Sequence, residues 1–471
     1  MATTTFEDEG ARGTLTFRMA GTTGTLTPKS TEGVPKEGVE MSSMADSQAR
    51  GPASPHRPLY YLSFFHYDFA RYRRSALLTA AISIAINLVI VWSCGAILYG
   101  AFYQQNYLGK LKIYIVDFDQ DDLGRAVSGA FNASLQTPNH FKLVYQPFQD
   151  NADVRRHIYE EQAFGAIIIN RGATQAWRQA ISTGDSSYSP TTAVEMVSES
   201  ARNPLTAGSH VVPGMTAVLQ PALVQFSQST VANFMSSNVN NATAMANAVK
   251  CPQCLSEPFS YTPNDIVPAY NAATLGAQLS GAVFLIVFVF AVTGTSYQLA
   301  NQLGEHLDIW HTIAWRIIHP AVHYLFIALS LTGCQAAFGV PVTTPWGGRG
   351  FVILWMLNWL CISAMGLALE AFWTISGWWI LNFFLNFYVV WNLGGVSYSF
   401  EEMPGFFKYY YGFPLFHAVQ GTLTIVYGTR SHLGLNFGVL VVWNIVSIIV
   451  LAAATWYRLT RNKNAGFHRL W

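Results

Sequence analysis

The stretch that decides the fold is ALLTAAISIAINLVIVWSCGAILYGAFY, residues 76–103. It contains no charged residue, and it is longer than the roughly 20 residues that a helix needs to cross about 30 Å of hydrocarbon. Arg71, Arg73 and Arg74 precede it directly, whereas a cleavable signal peptide would begin close to the N-terminus. The sequence therefore predicts a first transmembrane helix, 71–103, that serves as a signal anchor.

The composition of the whole chain is typical of a membrane protein. Only 11% of its 471 residues are charged, against about 25% in an ordinary globular chain, and 51% are hydrophobic. The net charge is +1, and the few basic residues form no binding face for nucleic acid. We expect the lipid bilayer as a partner and no nucleic acid.

Further uncharged runs follow the central part of the chain, and five of them are interpreted as transmembrane spans. Together with the first helix they predict six transmembrane helices in a one-plus-five arrangement, the last five within residues 272–457. Residues 1–70 and 458–471 are predicted to be cytosolic tails, and the first tail is expected to be disordered because it has no sustained apolar period. The five runs are 266–304, 317–348, 350–369, 371–400 and 431–457.

A further uncharged run, 409–429, is also long enough to cross. A seventh span would move the basic C-terminal tail out of the cytosol, against the bias that keeps positive charge inside. We therefore interpret residues 401–430 as a re-entrant segment on the outer side, which must pack against protein; we call it the aromatic hairpin. The residues expected to shape it are Pro404, Tyr411, Pro414 and His417.

Residues 104–271 lie between the first two predicted transmembrane helices. Strand-like stretches such as LKIYIVDFD and FGAIIIN alternate there with helix-like stretches. This alternation predicts a small α/β domain whose mostly buried sheet is flanked by helices. The six-span topology places the domain outside the cytosol.

The same segment contains both glycosylation sequons of the chain, at Asn132 and Asn241. Their position agrees with an extracytosolic domain, and we predict that both are glycosylated. Cys251 and Cys254 also lie there. A local disulfide or a redox-inert pair is expected rather than zinc, because no second cysteine pair accompanies them.

The chain has no Gly-x-x-x-x-Gly-Lys-[Ser/Thr] motif, so it has no P-loop for ATP hydrolysis. His319 and His323 have the i, i+4 spacing of paired metal ligands, but no comparable histidine cluster accompanies them, and an interfacial role is favoured. No metal, cofactor or catalytic constellation is predicted. A membrane enzyme therefore ranks behind the two functions considered below.

Glu370 is the only acidic residue between Arg349 and Glu401. Ionisable groups within a membrane are costly and often functional. Asparagines in the neighbouring spans either form interhelical hydrogen bonds or line a partly polar groove. We place a candidate substrate groove among spans two, four and five, beneath the aromatic hairpin. Its expected polar lining is Glu370, Asn358, Asn382 and Asn386.

Two stretches carry a resemblance to a known family: EPFSYTPNDIVPAYNAATLGAQL at 257–279 and EEMPGFFKYYYGFPLFHAVQGTLTIVYGTRSHLGLNFGVLVVW at 401–443. They resemble the fungal nitrosoguanidine-resistance membrane proteins, from about Arg71 to Arg461. Members of that family are similar to the membrane subunits of type-2 ABC permeases. The resemblance implies a plasma-membrane or endomembrane protein linked to resistance against toxic compounds, and it supplies no catalytic residues.

From these observations we expect a permease-like protein that exports or excludes amphipathic toxicants or lipids. The energy would come from a separate ATPase or other partner, or from an ion gradient. Small residues four apart, such as Ala277 and Gly281, also suit close helix packing or self-association into a homo-oligomer. The alternative is a non-transporting regulator or scaffold of lipid distribution that acts through the extracytosolic domain.

Overall fold

The structure is a computed structural model, and the residues that it describes are 64–67, 70–100, 104–304 and 306–464. The chain divides into two compact units, Met1–Arg71 and Tyr72–Trp471. Most of the predicted N-terminal tail, 1–70, lies outside the described residues, as does the end of the C-terminal tail, 465–471.

The described part is mostly helical and contains one five-stranded sheet. The helices are α1 Ala70–Gly100, α2 Asp122–Ser134, α3 Asn151–Tyr159, α4 Ala173–Thr183, α5 Pro204–Thr206, α6 Val212–Asn238, α7 Ala242–Lys250, α8 Pro252–Ser256, α9 Ala272–Gly304, α10 Ile309–Ala337, α11 Gly348–Ser376, α12 Trp378–Leu393, α13 Pro414–Tyr427 and α14 Leu433–Asn464. The strands are β1 Lys112–Asp117, β2 Lys142–Val144, β3 Gly165–Ile169, β4 Val194–Ser198 and β5 Tyr261–Asp265.

Five helices of the described part, namely α1, α9, α10, α11 and α14, are long and apolar enough to cross a membrane. Helix α1 turns large apolar side chains outward along its length, among them Leu78 and Trp92, which are 61% and 80% exposed. Such a surface is stable only in hydrocarbon. The chain is therefore a multi-pass membrane protein.

The predicted span 371–400 is not one long helix. Helix α11 continues to Ser376. Gly377, with a φ of 86° that favours glycine, then ends this helix and separates it from α12. Helix α12 then has 16 residues, or about 24 Å at 1.5 Å per residue, which is less than the usual hydrocarbon thickness. Inside the aromatic hairpin, α13 adds a helix of 14 residues.

Hydrogen bonds between connecting segments define two ends of the helix bundle. At one end, Asn271 Nδ2 donates to the carbonyl of Gly339 at 2.6 Å, and the Tyr427 hydroxyl donates to the carbonyl of Asn271 at 3.2 Å. At the other, the guanidinium of Arg458 donates to the carbonyl of Ile375 at 2.8 Å. We call the first the domain end, because the α/β domain leads into Asn271. We call the second the tail end.

The sheet of the α/β domain has the strand order β2-β1-β3-β4-β5. Strand β1 is parallel to β2 and β3, β4 is antiparallel to β3, and β5 is parallel to β4. Side chains alternate between two apolar layers: Ile113 and Ile115 join one core, and Tyr114 and Val116 join another. Both faces of the sheet are thus covered, which explains the continuous apolar runs in its strands.

The predicted modification sites lie on this domain. Asn132 is exposed on α2. Asn241 is also exposed, and its side chain caps α7 by accepting the backbone N–H of Ala244 at 3.1 Å. Cys251, between α7 and α8, and Cys254, within α8, are joined by a disulfide, and both are buried. Glycosylation of the two asparagines stays a prediction.

Gly366 permits a close crossing of α10 and α11. A Cβ atom at this position would lie 2.1 Å from the hydroxyl oxygen of Tyr324, whose side chain is fully buried. Tyr324 has no room to retreat, because protein interiors are close-packed. The absence of a side chain at Gly366 therefore sets the distance between the two helices.

Replacing Gly366 with alanine is expected to lower the free energy of unfolding by about 1–3 kcal/mol, because the added methyl group overpacks the crossing. The measurement is the thermal unfolding midpoint of the detergent-purified protein, followed by tryptophan fluorescence. Gly333→Ala in α10 is the matched control, since no heavy atom lies within 4 Å of its Cβ position. Equal midpoints for the two variants would contradict the close crossing.

Candidate functional site

The α/β domain and the aromatic hairpin meet at a fully buried carboxylate, Glu402. Its Oε2 accepts a hydrogen bond from Thr206 Oγ1 at 2.8 Å, and its Oε1 lies 2.9 Å from His210 Nδ1. The Thr206 hydroxyl also accepts the backbone N–H of Ser399 at 3.0 Å. A buried carboxylate without such partners would be strongly destabilising. These contacts therefore hold the domain on the hairpin.

Local sequence explains how the domain presents these groups. Asn203 caps the short helix α5 by accepting the backbone N–H of Thr206 at 3.0 Å, and Pro204 occupies the first helical position. A π-helical turn, Ala207–Val211, follows and carries His210. Single π-helical turns are frequent at functional sites. The cap and the turn together direct Thr206 and His210 at the same carboxylate.

Further contacts between polar side chains cross the same interface. Glu161 Oε2 lies 3.0 Å from Nε2 of His432, which directly precedes α14. A guanidinium nitrogen of Arg202 lies 3.6 Å from Glu401 Oε1. These groups are partly exposed, so their individual contributions to stability are modest. They make the interface densely charged.

A cavity of about 220 Å³ lies between the domain and the hairpin. We call it the interface cavity. It is smaller than most drug-binding pockets, which measure about 300–1,000 Å³, and suits a polar headgroup or a small molecule. Charged and aromatic side chains share its surface. The lining includes Glu161, Arg202, Phe400, Glu401, Tyr411 and His417.

His417 anchors one wall of the interface cavity. Its Nε2 lies 2.8 Å from the carbonyl oxygen of Tyr411, which can only accept, so Nε2 carries a proton. Its Nδ1 lies 2.9 Å from the side-chain Oδ1 of Asn436, while the amide nitrogen of Asn436 is buried with no partner among the described residues. Rotating this amide by 180° would let its nitrogen donate to Nδ1 of His417 instead.

The other predicted hairpin residues shape the backbone. Pro404 precedes the 3₁₀ helix Gly405–Gly412, and Pro414 occupies the first turn of α13. Tyr410 is fully buried against a glycine pair: a Cβ atom on Gly395 would lie 2.2 Å from the Tyr410 ring. The hairpin is therefore packed against protein, which is the packing that a re-entrant segment would need.

A second buried polar site lies within the helix bundle, around Arg316 of α10. Its Nε donates to Glu370 Oε1 at 3.0 Å, and its terminal nitrogens donate to Thr374 and Thr455 at 2.7 Å each. Arg316 and Glu370 are both fully buried. The guanidinium thus joins α10 to α11 and α14. The second carboxylate oxygen of Glu370 has no partner among the described residues.

The structure separates the residues predicted to line a groove. Asn358 Nδ2 donates to Thr332 Oγ1 at 3.0 Å, and Asn358 lies 12 positions before Glu370 on α11, about 18 Å along the axis. Neither lines the interface cavity. Asn386 is exposed on α12, and the side chain of Asn382 lies outside the described residues.

Sequence reasoning missed the most connected residues, Arg316 and Glu402. A signal for the first was present: Arg316 is the only charged residue between Asp308 and Arg349, just as Glu370 stands alone in the next apolar segment. Two lone opposite charges on neighbouring spans indicate an ion pair. No comparable local pattern indicated that Glu402 would contact His210 of the α/β domain.

Glu199 lies in the α/β domain, close to its interface with the aromatic hairpin. This residue is 4% exposed, and neither of its carboxylate oxygens has a hydrogen-bond partner among the described residues. Burial raises the pKa of Glu199 from 4.5 to about 8. The charge of Arg202 acts in the opposite direction, and Glu161 and Asp265 add to the rise. The carboxyl group is therefore mainly neutral at pH 7 in the folded protein.

The raised pKa of Glu199 predicts a pH-dependent stability. The unfolded chain ionises this group near 4.5 and the folded protein only near 8, so stability falls as the pH rises between these values. Glu199→Gln removes the titration, and its unfolding midpoint should change less with pH than that of the wild type. Thermal unfolding from about pH 5 to about pH 8 measures this. Parallel profiles would contradict the prediction.

The buried pair in the bundle predicts a non-additive mutant series. Arg316→Met leaves Glu370 without its charged partner and should cost about 3–5 kcal/mol, whereas Arg316→Met with Glu370→Leu should recover part of that loss. Unfolding midpoints in detergent measure both. Arg349→Met, at an exposed position near the start of α11, is the control. A double variant no more stable than Arg316→Met would count against the pair.

The chain is similar to one protein family and to a yeast membrane protein. The profile of a family described as "Protein of unknown function (DUF3533)" matches residues 84–449, more than half of the chain. The chain is also 23% identical over 423 residues to an uncharacterized endoplasmic reticulum membrane protein of Saccharomyces cerevisiae, covering 80% of each sequence. No solved structure matches the chain.

Proposed function

The chain belongs to the DUF3533 family, and from that premise we propose that it is a permease-like membrane protein that exports or excludes amphipathic toxicants or lipids. The observation that carries the proposal is the interface cavity. Charged groups such as Arg202 and Glu401 and aromatic groups such as Tyr411 face one space beside a bundle of apolar helices. An amphipathic molecule needs both kinds of surface.

The proposed topology has six spans, with the α/β domain outside the cytosol and both termini inside it. Helix α12 begins where α11 ends, at the tail end of the bundle, and leads towards the aromatic hairpin at the domain end. This course supports the role of α12 as a short sixth span. The disulfide Cys251–Cys254 and the exposed sequons suit an oxidising compartment. The yeast relative favours an endomembrane location over the plasma membrane.

The source of energy is part of the proposal. The resemblance to nitrosoguanidine-resistance proteins and to type-2 ABC permeases points to a separate ATPase as partner, and an ion gradient is the other route, since the chain has no P-loop. We propose no catalytic reaction for the chain itself. We also propose a homo-oligomer, because small residues four apart, such as Ala277 and Gly281 of α9, suit close helix packing.

The alternative is a non-transporting regulator or scaffold of lipid distribution. Its support is the closed interior of the bundle, where Glu370 and Asn358 are each bound by protein side chains. The bond between Glu402 and the domain would then transmit partner binding to the membrane part. Capture of a stable partner through residues 110–271, without substrate movement, would favour this function.

Flux of a fluorescent lipid or amphipathic drug in proteoliposomes tests the permease. Tyr411→Ala removes an aromatic wall of the interface cavity and should lower flux about tenfold or more, the effect of losing about 1.4 kcal/mol of binding. Phe338→Ala, at a side chain 79% exposed, is the control. Unchanged flux in Tyr411→Ala would overturn the role of the cavity.

A further inference from the structure

A second cavity, of about 440 Å³, lies within the α/β domain between α6 and residues 255–261. We call it the domain cavity. It shares no lining residue with the interface cavity. Its volume falls within the range of about 300–1,000 Å³ that small-molecule sites occupy.

The floor of the domain cavity is apolar and firmly packed. Leu223 and Phe259 line it and are 3% and 2% exposed. The ring of Phe259 packs against Trp177 of α4, with centroids 5.7 Å apart. Val231 adds a further apolar side chain from α6. These surfaces would bury the hydrocarbon or ring part of a ligand.

The wall formed by residues 255–261 is held in place independently of any ligand. The Tyr188 hydroxyl donates to the carbonyl of Pro258 at 2.7 Å, and Trp177 Nε1 donates to the carbonyl of Cys254 at 3.0 Å. The disulfide between Cys251 and Cys254 fixes the chain just before this wall. A cavity with fixed walls can bind a ligand without the free-energy cost of reordering those walls.

Two polar groups of the cavity have no partner of their own. Ser227 lines it, is 8% exposed, and has a buried hydroxyl that forms no hydrogen bond within the described part of the chain. Glu257 is exposed at the rim, with no ion pair among the described residues. No lysine or arginine lines the cavity. Its charge therefore repels anions and attracts cations.

We propose that the domain cavity binds amphipathic amines. The apolar body lies against Leu223 and Phe259, the protonated amine faces Glu257, and a hydrogen-bonding atom of the ligand meets Ser227. The aromatic ring of Tyr261, which also lines the cavity, adds attraction for a cation. This binding goes beyond the proposed permease function, because it requires no movement across the membrane and no contact with the interface cavity.

Photolabelling of the full chain in nanodiscs tests the site. The probes are an alkylamine of decyl length with a diazirine in its chain and the uncharged alcohol of the same length. Labelled peptides are then identified by mass spectrometry. The amine should label 220–232 and 255–261 about two- to fivefold more than the alcohol, as expected for one partly exposed charge pair. Excess unlabelled amine should remove this label.

Two variants separate charge from space. Glu257→Gln should lower amine labelling to the level of the alcohol, whereas the matched control Glu160→Gln, outside the cavity, should leave it unchanged. Leu223→Trp fills the cavity and should abolish labelling by both probes. Equal labelling by amine and alcohol in the wild type, or undiminished amine labelling in Glu257→Gln, would overturn the proposal. Labelling confined to membrane helices would do so as well, and none of these outcomes bears on flux.

Discussion

A charge buried away from water must be satisfied by the protein itself, and this constraint organises both halves of the molecule. In the bundle, the guanidinium of Arg316 is satisfied by Glu370 and by hydroxyl groups on two helices, which fixes how those helices pack. At the domain end, Glu402 is satisfied by Thr206 and His210. Each site joins segments that are far apart in the sequence.

The site around Glu402 joins the α/β domain to the aromatic hairpin. Residues 399–432 pack on the domain on one side and on the helix bundle on the other. A ligand in the interface cavity would therefore contact both halves at once. A ligand in the domain cavity would touch only the domain. The two cavities share no lining residue, so a ligand could occupy either one independently of the other.

Much of the fold could be predicted, because long apolar helices and buried strands have strong periodic patterns. Strand β5 was missed since its sequence, YTPND, is polar, contains proline and pairs with β4 alone. The sites were harder to predict. Arg316 is a lone charge in an apolar segment, and the rotation of α10 about its axis turns it towards Glu370. Such rotations depend on tertiary packing, which one sequence does not encode locally.

The position of β5 has a consequence for biogenesis. Strand β5 ends at Asp265 and helix α9 begins at Ala272, so every strand of the sheet has been synthesised before the second membrane helix emerges. Domains generally fold as units while the ribosome is still at work. The α/β domain can thus be finished when the hairpin, made more than a hundred residues later, arrives. The hairpin can then be assembled on a folded domain that already presents Thr206 and His210 to Glu402.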